Sequence, residues 1–156
     1  MPGDSIFRAA AESGHPLAYE TSLWLGRAYS FAGRDAEASA AFQQATTQAE
    51  ANLPDGHPDR SLPHLELGMH ELSRGRPAAA EEPLRRALRA LDGTLPDDHW
   101  RVARVQALLG SALARSGRRD DAGPLLSQGA AKLAMTLGAD HRFADEARDE
   151  LERMGS

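Results

Sequence analysis

Six histidines are the side chains of this 156-residue chain best suited by type to hold a metal ion or move a proton at neutral pH. A zinc site needs three or four converging ligands, commonly with cysteine among them, and the chain has no cysteine. That absence also removes disulfides and thiolate nucleophiles. His64 and His70 flank Glu66, but six residues turn a helix through about 600°, which sends the two rings to different sides. The HExxH arrangement is missing, as are a GxxxxGK[ST] phosphate loop and the kinase catalytic signatures. With no residue set left to do chemistry, the expectation is a chain that is not an enzyme and takes neither metal nor cofactor.

The other four histidines are informative in another way. His15, His57, His99 and His141 stand 42 residues apart each time. Leu25-Gly26 recurs at that interval as Leu67-Gly68 and Leu109-Gly110, Gly33-Arg34 as Gly75-Arg76 and Gly117-Arg118, and Ala38 as Ala80 and Ala122. Independent markers sharing one period define a repeat array. The histidines, with Asp55, Asp97, Asp98 and Asp140 close by, then read as residues that order a turn and cap the helix after it.

Each copy reads as two helices. The first runs from Pro16, Pro58 or Trp100 to the residue before Gly33, Gly75 or Gly117, where glycine suits the left-handed closing residue. The second starts near Asp35, Pro77 or Asp120, and the two aspartates are placed to cap free N–H groups. Ala80, Leu84, Ala87, Leu88 and Leu91 follow the i, i+4, i+7, i+8, i+11 spacing of one helical face. Gly26, Gly68 and Gly110 fall inside first helices, where each costs about 1 kcal/mol against Ala. Repetition of that cost at one register predicts close backbone approach, most simply to Ala38, Ala80 and Ala122. Pro63 and Pro83 break the pattern of the middle copy and predict a late start or a kink there, whereas Pro124 lies nearer its helix start.

The expected organisation is one all-α domain over 1–156: a partial N-terminal helix over 1–14, repeats over 15–56, 57–98 and 99–140, and a capping helix over 141–156. Phe7 and Ala11 register with the ends of second helices, so the chain is expected to open inside a half-repeat, either as an excised piece of a longer array, the favoured reading, or with a degenerate helix as its N-terminal cap. The last helix carries Glu152 where its predecessors have glycine, and Asp145, Glu146, Arg148, Asp149 and Glu150 make it polar, as a solvent-facing cap should be.

A formal charge of −5 argues against nucleic acid and anionic membranes as partners, despite Arg101, Arg104, Arg115, Arg118 and Arg119. No apolar run of about 18 residues and no signal-like start occurs, so the expected location is cytoplasmic. Trp24 and Trp100 are assigned to apolar bulk within the stack rather than to partner anchors.

These residues resemble the tetratricopeptide repeat (TPR): Leu-Gly in the first helix, Gly-Arg at the turn, then Ala38, Phe42, Leu84 or Leu126, and Ala45 or Ala87. The 42-residue period with His-Pro opening a copy looks like the kinesin-light-chain subtype, rather than the commoner form of about 34 residues. Departures are Ser22, His64 and Gln106 where a large residue is expected, and Glu71 and Leu113 where Tyr29 sets the pattern. The resemblance implies an α-α superhelix (solenoid) whose first helices line a concave, peptide-holding groove. Carried over residue by residue, that groove is Leu23, Arg27 and Phe31, then Leu62, Leu65, Met69 and Leu72, then Arg104, Ala107, Ser111 and Arg115. If the middle helix is rotated, Leu62, Leu65, Met69 and Leu72 are core instead. The Lys, Asn and Arg set of the family's two-carboxylate clamp is absent, so chaperone C-termini are not the expected ligand. The function implied is a non-catalytic interaction module for a peptide or partner domain. The alternative is a regulatory segment of a larger bacterial signalling protein, a kinase or signalling ATPase, that mediates self-association or autoregulation.

Overall fold

The computed structural model describes residues 15–156. Among them there is no strand, and seven α-helices follow one another: α1 (Ala18–Phe31), α2 (Asp35–Asn52), α3 (Leu62–Ser73, entered through the 3-10 turn Pro58–Ser61), α4 (Pro77–Leu91), α5 (Trp100–Arg115), α6 (Arg119–Leu137) and α7 (Arg142–Gly155). Within each pair the first helix packs on the second, and each second helix packs on the next first helix. The expected all-α solenoid of three pairs plus a closing helix is the observed architecture. The partial helix expected over 1–14 lies outside the described residues.

One local device starts several of these elements. Nδ1 of His15, His57, His99 and His141 accepts the backbone N–H two residues on, at 3.1, 3.2, 3.1 and 3.2 Å. An imidazole acceptor here does what a serine or aspartate cap does elsewhere, and it satisfies one of the free donors of a helix start. The first helices end as the glycines imply. Gly33, Gly75 and Gly117 take φ of 74°, 68° and 84°, and the amides of Arg34, Arg76 and Arg118 reach back five residues at 2.9 Å.

The second helices start differently from expectation. Neither Asp35 nor Asp120 caps: both lie inside the first turn, and the N-cap positions are Arg34 and Arg118, without a side-chain cap bond. The Asp35 carboxylate is drawn instead to Arg74 and Arg76, at 2.7 and 3.1 Å. Those guanidiniums hold it below the usual carboxylate range, the Arg76 hydrogen bond foremost.

The prolines divide. Pro63 delays its helix as predicted, because α3 begins at Leu62 and leaves proline in the first turn, where no N–H is needed. Pro83 lies inside α4 and Pro124 inside α6, and both helices run on through them. The carbonyls they strand belong to Ala79 and Asp120, which are exposed, so water can satisfy them.

Gly26, Gly68 and Gly110 do lie at close approach to the paired helix, but their neighbours are not Ala38, Ala80 and Ala122 alone. A Cβ on Gly26 would run into the Phe42 ring, and one on Gly68 would meet Leu84 at 2.6 Å. On Gly110 it would meet Leu126 Cγ at 2.7 Å, together with the Leu126 amide nitrogen and the Ala122 carbonyl. The neighbour is thus the large residue four positions beyond the alanine, and only in the third pair does backbone join it. Gly129 brings α6 close to the backbone of α5 as well: a Cβ there would stand 3.0 Å from the Ala103 carbonyl oxygen and 3.1 Å from the Ala107 nitrogen. The buried apolar residues form two clusters. One joins α1 and α2 and takes in Leu62 and Leu67; the other runs from Leu65 through α4, α5 and α6 to Ala147.

Candidate peptide-binding groove

Two hollows open on the side of the stack made by first helices. One, of about 420 Å³, lies between α1 and α3 and is lined by Arg27, Ser30, Phe31, Phe42, Glu66, Met69, His70, Ser73 and Arg74. The other, of about 340 Å³, is lined by Met69, Leu72 and Ser73 of α3, Arg104, Ala107, Leu108, Ser111 and Arg115 of α5, and Glu146, Ala147, Glu150 and Arg153 of α7. Met69 and Ser73 belong to both, so the hollows form one concavity centred on α3.

The positions carried over from the resemblance separate into floor, wall and core. Arg27, Phe31, Met69, Leu72, Arg104, Ala107, Ser111 and Arg115 line the concavity. Leu23 is core between α1 and α2, and Leu65 and Leu72 are buried in the other cluster. Leu62 packs partly against the core around α1 and α2. The stripe on α3 is therefore mostly interior, and Met69 is its half-buried residue in the open hollow. The hollows also take in residues outside the carried-over groove set, among them the charged or titratable Glu66, His70, Arg74, Glu146, Glu150 and Arg153.

The arginines are already engaged. Arg104 is only 6% exposed; its guanidinium lies 4.0 Å from the Phe143 ring centroid and donates to Glu146 at 2.6 Å. Burial depresses its basicity, against the opposing pull of Glu146. Arg115 donates to Glu150 at 2.8 Å, and that hydrogen bond raises its pKa. Glu150 also meets Arg153 at 3.2 Å, and it is 5% exposed. The closing helix thus hides part of its charge: buried Glu150 and the more exposed Glu146 line the concavity and pair its arginines. At the other end Arg27 pairs with Glu66, and Arg74 donates to the Ser30 carbonyl. His70, buried, shares a 2.8 Å hydrogen bond with Ser30 Oγ, and desolvation lowers its pKa.

The lining carries Arg27, Arg74, Arg104, Arg115 and Arg153 against Glu66, Glu146 and Glu150. Five positive and three negative groups leave the concavity net cationic on a chain of charge −5. Among the described residues no group of three or more His, Asp or Glu is placed to hold a metal ion, and no helix is long and apolar enough to cross a membrane.

The tryptophans are not core. Trp24 is 64% exposed with Arg27 over its ring at 4.9 Å, and Trp100 is partly exposed, stacked on Phe143 at 6.5 Å. Trp24 stands at the register where later copies carry Glu66, Leu108 and Glu150, which is an edge of the first helix and not its core face.

Paired helices stacked edge to edge, with first helices lining a concavity, define a helical-repeat solenoid. No protein-family model matches the chain, and no curated relative does. Solved structures do match. A Podosopora anserina protein named for kinesin light chain, with nearly identical TPR-like repeats, superposes with TM-score 0.73 at 27% identity, covering 97% of this chain and 73% of that one. A form of that protein carrying a single glutamine-to-methionine substitution gives the same score and identity over 96% of this chain and 71% of its own. The chain is a TPR-like repeat protein. Folds of this kind are generally non-catalytic scaffolds that mediate protein–protein interaction.

Proposed function

We propose that this chain is a non-catalytic interaction module that holds a peptide or partner segment in the concavity between α1, α3, α5 and α7. One observation carries the reading: the two hollows share Met69 and Ser73, and together they present a net cationic lining around a thioether. Met adapts to varied apolar partners. The matching ligand is a short segment with one or two apolar anchors and an acidic residue beyond them. The apolar anchors supply most of the affinity, and the arginines mainly set orientation and association rate. Because Glu146 and Glu150 already pair Arg104 and Arg115, an acidic ligand residue must displace or share those contacts. That favours the more exposed Arg115 and Arg153 over buried Arg104 as its receivers.

The experiment is selection from a random peptide library on the full chain, followed by titration of the winners against Met69→Glu. Winners rich in an apolar residue followed by Asp or Glu, with binding lost in Met69→Glu at unchanged helicity, support the reading. Winners that bind Met69→Glu as well as the parent would overturn it.

A further inference from the structure

The buried apolar core of the described residues is not continuous: one cluster holds α1 and α2, and the other runs from α3 to α7. The repeat register shows what differs where it breaks. Met69 of α3 and Leu108 of α5 pack on the second cluster, and Leu72 and Ala112 are buried within it. One period earlier the same slots hold Arg27, Glu66, Ser30 and His70. There Arg27 pairs with Glu66, and Ser30 Oγ shares its 2.8 Å hydrogen bond with His70 Nδ1. The junction between the first pair and α3 is therefore stitched by polar groups where the next junction is apolar, although Leu62 and Leu67 still pack on the first cluster. In a stack each unit touches only its neighbours, so the weakest junction decides which unit leaves first.

His70 is the group least provided for at this junction. It is 3% exposed, its Nε2 is buried without a hydrogen-bond partner, and the Phe42 ring of α2 lies 6.0 Å away between centroids. The charged groups facing it are Asp35 of α2, Glu71 of its own helix, and Arg74 and Arg76 just beyond. Both carboxylates are already held by those arginines. An imidazolium here would carry a buried charge and an Nε2–H that nothing accepts. We propose that α1 and α2 leave the stack as one cooperative unit, and that protonation of His70 releases them. Desolvation depresses the basicity of the ring in the closed junction, so the open form takes up the proton first. Each pH unit below the ordinary 6.5 then raises the release constant by up to about tenfold. Release also withdraws Arg27 and Phe31 from the hollow between α1 and α3. That consequence for a ligand rests on the peptide-binding reading; the release itself does not.

The two tryptophans stand on opposite sides of this junction, Trp24 in α1 and Trp100 in α5. Urea unfolding of the full chain, read by fluorescence in Trp100→Phe and in Trp24→Phe at a pH of about 7.5 and 5.5, follows each side separately. The Trp24 transition should come at lower urea, and the gap should widen at the lower pH. His70→Ala puts the residue type of Ala112 at that register, and in its background the gap should no longer depend on pH. His64→Ala is the control: burial lowers the basicity of that ring too, yet the dependence should remain. Ser30→Leu combined with His70→Ala rebuilds the apolar residues of the next junction, Leu72 and Ala112, and should bring the two transitions together. Coincident transitions of the parent at both pH values overturn the proposal. So does a gap that widens as much in His70→Ala as in the parent, or a double variant that keeps the parent's gap.

Discussion

Gly110→Ala tests whether the pairs are held at the distance the glycines set. The residue is interior to α5, so helix propensity alone rewards the change by about 1 kcal/mol. The added Cβ would stand 2.7 Å from Leu126 Cγ, 3.2 Å from the Leu126 nitrogen and 3.3 Å from the Ala122 carbonyl oxygen. Leu126 is fully buried and has no open space to swing into, and two of the three contacts are backbone. Relief therefore requires α5 and α6 to part. Overpacking of this kind costs about 1–3 kcal/mol, and backbone contact puts this site in the upper part of that range. The net expectation is a loss of about 1–2 kcal/mol, which lowers the melting midpoint by roughly 2–8 °C at this chain length. Gly123→Ala is the control. It too is helical, but its Cβ would meet only Met154 Cε at 3.9 Å, so it should gain about 0.5–1 kcal/mol. Urea and thermal unfolding followed by helical circular dichroism on the full chain measure both. Gly110→Leu should lose more than Gly110→Ala. If Gly110→Ala melts at or above the parent while Gly123→Ala rises as expected, the spacing argument is wrong.

Three other perturbations read other parts of the structure. His99→Ala removes the acceptor for the Arg101 amide at the start of α5 and should cost about 1 kcal/mol, measurable in the same unfolding experiments; His99→Asn should recover most of it. Glu150→Gln weakens the hold on Arg115 and Arg153 and should lower stability by about 1 kcal/mol, a modest figure because Arg115 is partly solvated. The same change should tighten binding of an acidic peptide in the concavity, and calorimetric titration showing no gain would count against the groove reading. Burial lowers the pKa of His70 and of His64 from the ordinary 6.5, so the unfolded chain takes up protons first as pH falls. Stability should accordingly decline on the acid side of 6.5 and be insensitive to these groups above it, and His70→Ala should flatten part of that slope.

The repeat, the helix pairs and the histidine caps were legible in the chain because each depends on residues a few positions apart. A Nδ1 acceptor two residues before its amide, or a glycine closing a helix, works the same way in every copy. A late start was one of the two outcomes proline geometry allowed at Pro63, and the left-handed glycines followed from glycine geometry. What needed the tertiary structure was everything decided across neighbours. Asp35 has the residue type of a cap, yet it falls inside the first turn, and Arg74 and Arg76 arrive from the next pair and claim its carboxylate. Glu146 and Glu150 read as solvated charge on a polar helix, and only stacking α7 on α5 turns them onto Arg104 and Arg115. Trp24 looked like core by its size, but core membership is set by the face a residue occupies and by what lies against it. At the register of Trp24 the later copies find a preceding first helix to touch, and α1 has no such helix among the described residues. Periodicity assigns a residue to a face; whether that face is buried depends on the partner packed against it.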